Sequence, residues 1–200
     1  MMRVRHSGLL TTVQDLGRPG YQQYGVVVGG ALDSFTARAV NLSVGNDDNA
    51  ALLEMAQTGP DLVFDRDVLV AWSGADFAAR VNDEPLPRDR AVRVAAGEPV
   101  SFGLARSGLR AWLAIAGGID VPLVMGSRST YLPGGLGGLE GRRLKTGDRL
   151  PTGSAAGPGF GLTISSRPRT SPAQRRTRAC AVLSGRPIMA DRTVAITSTV

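Results

Sequence analysis

Short apolar runs, cut at close intervals by turn-forming residues, confine the middle of this chain to β structure. The runs are Leu62–Phe64, Val68–Trp72, Phe77–Val81, Ala91–Val94, Val100–Phe102 and Arg110–Ala116. Between them stand Gly59-Pro60, Gly74, Asn82-Asp83, Gly97 and Ser107-Gly108, residues that suit tight turns. Regular alternation of strand and turn at this spacing predicts a barrel or a sandwich.

One segment breaks the rule. Ser34–Val44 carries Phe35, Ala39 and Leu42 at helical spacing, a face expected to be core. Asp33 is placed to cap it, because a carboxylate there accepts from the free amides of the first turn. Leu32 and Ala37 are expected to form a weak hydrophobic staple, and Gly45 to end the helix in the left-handed conformation.

The chain has 200 residues, enough for one good-sized core or for one domain and part of another. From Pro151 the texture changes. Residues 151–178 are rich in Gly, Pro, Ser, Thr and Arg and read as a linker, and residues 179–200 hold too few β-formers to bury a core alone. The net charge of +6 belongs to this last quarter. Residues 151–200 hold Arg167, Arg169, Arg175, Arg176, Arg178, Arg186 and Arg192 against Asp191 alone, while residues 1–150 are neutral. No aromatic residue interleaves those arginines for stacking on bases, so a solvated linker is expected and no nucleic-acid partner.

The most apolar stretch, Trp112–Gly126, is interrupted by Gly117, Gly118, Asp120 and Pro122, so no membrane span is expected. The opening MMRVRHSGLL lacks the apolar region of a secretory signal. Cys180, without a second cysteine to pair with, fits a reducing cytoplasm and reads as a partly buried free thiol.

Familiar catalytic signatures are missing. No GxxxxGK[ST] loop occurs, and Lys145, the one lysine, follows Arg142-Arg143-Leu144. Gly135-Leu136-Gly137 begins like a dinucleotide fingerprint but reaches Glu140 where a third glycine is needed. With one histidine and one cysteine, no metal site is expected, and His6 gives only weak support to a Ser-His-Asp triad. Chemistry here must rest on carboxylates, amides, hydroxyls and arginine.

The region that best suits a binding surface is Gly108–Leu150. It joins an apolar strand, a double-glycine turn, the cluster Ser127-Arg128-Ser129-Thr130 and a loop studded with glycine over Gly134–Gly141. Arg128 offers a planar fork for a carboxylate or phosphate, with Ser127, Ser129 and Thr130 beside it, or else sits in a hydrogen-bonded turn. The bare amides at Gly134 and Gly135 can approach an oxyanion, or serve backbone geometry alone. Asp15 and Arg18 either pair within a turn or face a substrate together. Asn41, Asn46 and Glu54 lie among apolar residues and need partners if buried. They either buttress the glycine loops, the favoured reading, or orient substrate.

Six blocks, taken in order, point to one family. They are GLLTTVQDLGRPGY from Gly8, GGALDSFTARAVNLSVGN from Gly29, LEMAQTGP from Leu53, AGGIDVP from Ala116, GSRST from Gly126 and GDRL from Gly147. Together they resemble the carboxyltransferase A/B family, which includes 5-oxoprolinase subunits, allophanate hydrolase subunit 2, antagonists of a kinase inhibitor and part of urea carboxylase. Val40 and Ser43 depart from it, standing where the family usually has alanine and leucine.

The resemblance implies a cyclophilin-like β-barrel over residues 1–150 with one prominent helix. It also implies a second barrel, of which Arg178–Val200 is expected to be the opening and the remainder missing. It implies an ATP-dependent hydrolase converting 5-oxoproline to glutamate with release of ADP and phosphate. Asp15, Arg18, Glu54 and Arg128 are then the catalytic candidates. Asn41, Asn46, Ser127, Ser129, Thr130, Gly134 and Gly135 are the substrate-binding ones. ATP is the expected nucleotide, and sister subunits are the expected partners. An alternative is carboxyl transfer from biotin carried on a partner chain, as in urea amidolyase. A second alternative is a binding module that sequesters a kinase inhibitor without chemistry.

Overall fold

A computed structural model describes residues 1–154 and, beyond them, the strands at 163–166, 181–184 and 194–195. Cys180, most of the expected linker and most of the expected second-barrel remnant lie outside the described residues.

The first 154 residues fold mainly as antiparallel β structure, as the turn spacing predicts. One sheet holds β1 (Met2–His6), β4 (Asp61–Phe64), β6 (Arg80–Val81), β7 (Glu84–Pro85), β9 (Pro99–Ser101) and β11 (Arg149–Leu150), in the order β11-β1-β4-β9-β6-β7. The second holds β2 (Leu10–Gln14), β3 (Leu52–Ala56), β5 (Val68–Asp76), β8 (Ala91–Val94) and β10 (Ser107–Ile115), in the order β2-β3-β10-β5-β8. Among the described residues no strand ladder joins the two sheets, so the expected barrel is open, a correction to the closed form. Beyond residue 154, β12 (Thr163–Ser166), β13 (Ala181–Ser184) and β14 (Val194–Ala195) form a third antiparallel sheet. A strand within the expected linker thus pairs with one beyond residue 178.

The core sits between the two large sheets. Met2 and Val4 of β1 point into it while Arg3 and Arg5 stay exposed, the period-two alternation of a strand with one wet face. From the other sheet come Leu53 and Met55, Val70 and Trp72, and Leu113 and Ile115. The Trp72 and Phe102 rings meet edge to face across the core, centroids 5.5 Å apart. Such a pair contributes about 0.5–1.5 kcal/mol beyond its buried area.

The run Ala111–Ala116 is continuously apolar because its sheet is covered on both faces. Trp112, Ala114 and Ala116 point away from the core into a second cluster with Leu52 and Ala71, closed by helix α1 (Ser34–Ser43). Asp33 caps α1 as predicted, accepting from the amides of Phe35 and Thr36 at 3.1 and 3.0 Å. The seated face overlaps the predicted one, with Ala39 buried as expected, but it is centred one step round the helix. Ala37, Val40, Asn41 and Val44 are buried while Phe35 and Leu42 pack at the margin, because the small residues let the helix approach the sheet. Leu32 is 73% exposed, so the expected staple does not form. Ser43 is fully buried and turns its hydroxyl onto the Val40 carbonyl at 2.8 Å, which satisfies it.

Candidate functional site

β2 runs along the edge of the helix-backed sheet and delivers Asp15 to a polar belt. One Asp15 oxygen accepts from the Gly17 amide at 2.8 Å and the Ser127 hydroxyl at 2.7 Å; the other accepts from the Arg128 amide at 2.6 Å. The main-chain carbonyl of Asp15 takes the Ala31 amide at 2.8 Å. Three segments distant in sequence therefore meet on one residue that is 4% exposed.

The hydroxyls of the Ser127–Thr130 cluster point inward. Ser127 accepts from the Ser129 amide at 2.9 Å while donating to Asp15. The Ser129 hydroxyl donates to Gln14 Oε1 and accepts the Gly30 amide. Thr130 donates to the Val13 carbonyl at 2.9 Å. All three are buried and matched, as buried polar groups need to be. The glycine loop folds back over this segment. At Gly137 a Cβ would lie 2.0 Å from the Ser129 carbonyl oxygen, and at Gly138 1.9 Å from Thr130 Oγ1, so only glycine permits the approach. Gly134 and Gly135 lie at the exposed tip instead, and the Gly135 amide bonds the Leu132 carbonyl.

The two arginines differ in setting. Arg128 Nε donates to the Val121 carbonyl at 2.9 Å and Nη2 to Asp120 at 3.2 Å, with a third of the side chain exposed. Two open surface hollows, one beside Arg3 and Arg149 and one beside Phe77 and Leu104, are not lined by it. Arg18 is 1% exposed and bonds only carbonyls, Val124 through Nε at 3.4 Å and Ser129 through Nη2. Asp15 and Arg18 form no ion pair, although both belong to the belt.

Glu54 sits apart, on the helix-facing side of β3. One oxygen accepts from Arg110 Nη1 at 2.7 Å; the other accepts from the Leu32 amide at 2.8 Å and Trp112 Nε1 at 2.9 Å. The register places Trp112 opposite Glu54, so Arg110, two residues away, falls on the same face. Asn41 and Asn46 lie farther off, at the end of α1. Asn41 donates to the Ala50 carbonyl at 2.7 Å; Asn46 donates to Ile115 at 2.8 Å and accepts from the Gly117 amide at 2.7 Å. They tie the helix to the end of β10.

Arg110 and Gln14 do not stand out in the sequence as site-forming residues. The signal for Arg110 was its spacing of two from Trp112 on a strand. For Gln14 there was no signal short of the fold. Near the sheet edge, Arg142 forks onto Asp148 at 2.8 and 3.0 Å. Burial pushes the Asp148 carboxyl up, but the Arg142 hydrogen bonds, the Lys145 amide and both positive charges outweigh it and hold the group below the usual carboxylate range. Among the described residues no helix is long and apolar enough to cross a membrane, and no group of three or more His, Cys, Asp or Glu could hold a metal ion.

Comparison with known proteins places this geometry among relatives. The family described as carboxyltransferase domain, subdomain A and B, matches residues 24–193. The chain is 45% identical over 155 residues to a 5-oxoprolinase subunit of Escherichia coli, covering 78% of this chain and 50% of that one. It is 42% identical over 148 residues to urea amidolyase of Lachancea kluyveri, covering 74% of this chain and 8% of the other. The crystal structure of Kluyveromyces lactis urea carboxylase superposes with a TM-score of 0.75 at 38% identity, covering 80% of this chain and 15% of that one. The chain spans about half the length of the 5-oxoprolinase subunits it matches.

Proposed function

The chain belongs to the carboxyltransferase domain family, subdomains A and B, and on that premise we propose that it serves as one subunit of an ATP-dependent 5-oxoprolinase. The observation that carries this reading is the 45% identity, over 155 residues, to a bacterial 5-oxoprolinase subunit. The reaction would open a five-membered lactam by water, with negative charge developing on the carbonyl oxygen. Stabilising that oxygen requires donors already fixed in place. Arg18 and Arg128 are the cations we assign to this task. Asp15 and Glu54 each already accept three hydrogen bonds, so we assign them to positioning in place of proton abstraction.

ATP fits the described residues poorly. The glycine loop turns the amides of Gly135, Leu136, Gly138 and Gly141 onto main-chain carbonyls, which takes them from any phosphate. We therefore place nucleotide handling, and the phosphoryl chemistry with it, on sister subunits in the cytoplasm, and route no step through ATP on this chain. Co-expression with the sister subunits of a bacterial 5-oxoprolinase tests the assignment. Glutamate and ADP formed in equal amounts from 5-oxoproline would support it, and an assembled complex with no turnover would count against it.

Identity to urea amidolyase at 42% favours one second reading, carboxyl transfer from biotin carried on a partner chain. A carboxylase partner supplying carboxybiotin would then lose its carboxyl group to urea only when this chain is present. Failure of such transfer, together with lactam opening, separates the two.

A further inference from the structure

The outer face of the sheet built on β1 carries charge that the fold does not balance. Arg3 of β1 and Arg149 of β11 stand directly opposite each other in the antiparallel register. The Val4 amide donates to the Asp148 carbonyl at 2.9 Å, so the two arginines, one step away, form a non-hydrogen-bonded pair. At such a pair the facing side chains stand closest. Like charges placed there repel and destabilise the strand pairing. On its other flank Arg3 faces Val63 of β4, which offers no counter-charge. Asp65 is paired with the terminal ammonium of Met1, and Asp148, next along the chain from Arg149, with Arg142. Among the described residues neither Arg3 nor Arg149 enters an ion pair.

Both arginines are exposed, and both line one open hollow of about 460 Å³. The rest of its wall offers a ligand few donors. The Ala96 amide is taken by Asp67 at 2.9 Å and the Gly97 amide by the Phe64 carbonyl at 2.8 Å. The Phe64 ring is wholly buried in the core, so a nucleotide base has no aromatic face to stack on. The hollow therefore presents two guanidinium forks, whose geometry matches phosphate oxygens. A phosphate dianion cancels both charges, and its tetrahedral oxygens face donors arriving from two strands at once. A monocarboxylate cancels one charge and leaves the other.

We infer that Arg3 and Arg149 jointly bind a phosphate group at this hollow, either free or as the monoester of a small molecule. The site shares no residue with the Asp15 belt and does not rest on the proposed lactam chemistry. Inorganic phosphate raises the thermal midpoint of the full chain saturably, and chloride at matched ionic strength does not. Phosphate also moves the Nε resonances of Arg3 and Arg149, each identified by its loss in the variant. Arg3→Gln and Arg149→Gln each weaken phosphate binding by about tenfold or more. Each also raises the midpoint measured without phosphate, because the repulsion is gone. Arg5→Gln removes another exposed arginine of β1 and keeps the response, which separates a site from diffuse positive charge. Glycerol 3-phosphate distinguishes the two sources: tighter binding than inorganic phosphate assigns the rest of the hollow to an organic tail, and equal binding assigns the site to free phosphate. No saturable response of the wild type up to about 10 mM phosphate overturns the site. An Arg5→Gln variant as impaired as Arg3→Gln does the same. Acetate binding as strong as phosphate overturns the choice of a dianion.

Discussion

Glu54 and Arg18 are both charged and both almost wholly buried, yet the fold treats them in opposite ways. Around Glu54, an arginine, an indole N–H and a main-chain amide fill both oxygens. Around Arg18, carbonyls take two of the three nitrogens and nothing among the described residues takes the third. The matched group lies under α1, where Leu32, β3 and β10 are locked together. The unmatched group lies where glycine-rich segments from 28–30, 124–129 and 137–138 converge. A saturated buried charge holds elements in register; a starved one contributes less to stability than its burial suggests.

The sharpest way to break this contrast is to remove each charge. Glu54→Ala strands Arg110, Trp112 Nε1 and the Leu32 amide at once, and is expected to destabilise by about 3–5 kcal/mol in urea denaturation. Arg18→Met leaves two carbonyls short of donors but also removes an uncompensated charge, so its net cost is expected to be about 1 kcal/mol or less. Equal losses from the two variants would show that Arg18 is as structural as Glu54, and the contrast would fall.

A middle-sized effect comes from Asp15, the saturated neighbour of the starved arginine. Asp15→Asn keeps the shape but replaces one acceptor oxygen by a donor, set against either the Arg128 amide or the Gly17 amide and Ser127 hydroxyl. About 1–3 kcal/mol of stability is expected to be lost. The 127–130 segment should loosen first, read as faster amide exchange at Arg128 and Ser129. Unchanged exchange there would detach Asp15 from the belt.

Much of this was legible in the sequence, but unevenly. The strands β4, β5, β8 and β10 announce themselves by apolar runs between turns, and α1 by its Asp33 cap. β2 and β3 do not, because their chemistry runs against the usual alternation. Thr11, Thr12 and Gln14 are buried in β2 and Glu54 in β3, each matched by a partner far along the chain. The site was legible as a list of residue types but not as an arrangement. Ser127, Ser129 and Thr130 look like ligand donors in sequence and turn out to face Asp15, Gln14 and Val13. Asp15 and Arg18, three apart, invite an ion pair that the fold declines. Whether a polar side chain is satisfied depends on long-range partners, which spacing does not encode. The starved Arg18 was for that reason invisible until the loops closed over it.

The smallest expected effect tests the saturated end of the comparison at a third charge, Asp148. Its folded carboxyl titrates below the ordinary value of 3.8, with Arg142 and the Lys145 amide outweighing burial. In acid the unfolded chain therefore takes up this proton before the folded one does, so stability falls as pH drops below the usual carboxylate range and through the lower folded value. Above that range the contribution is fully present and flat. Asp148→Asn removes this part of the acid slope while leaving the Arg142 side chain beside a neutral amide. Thermal midpoints measured between about pH 2 and 6 should then converge for wild type and variant at the acid end. Arg18 has no carboxylate partner among the described residues and forms no such pair, so Arg18→Met should leave the acid slope as it is. A slope that changes with Arg18→Met would reveal a carboxylate coupled to it after all.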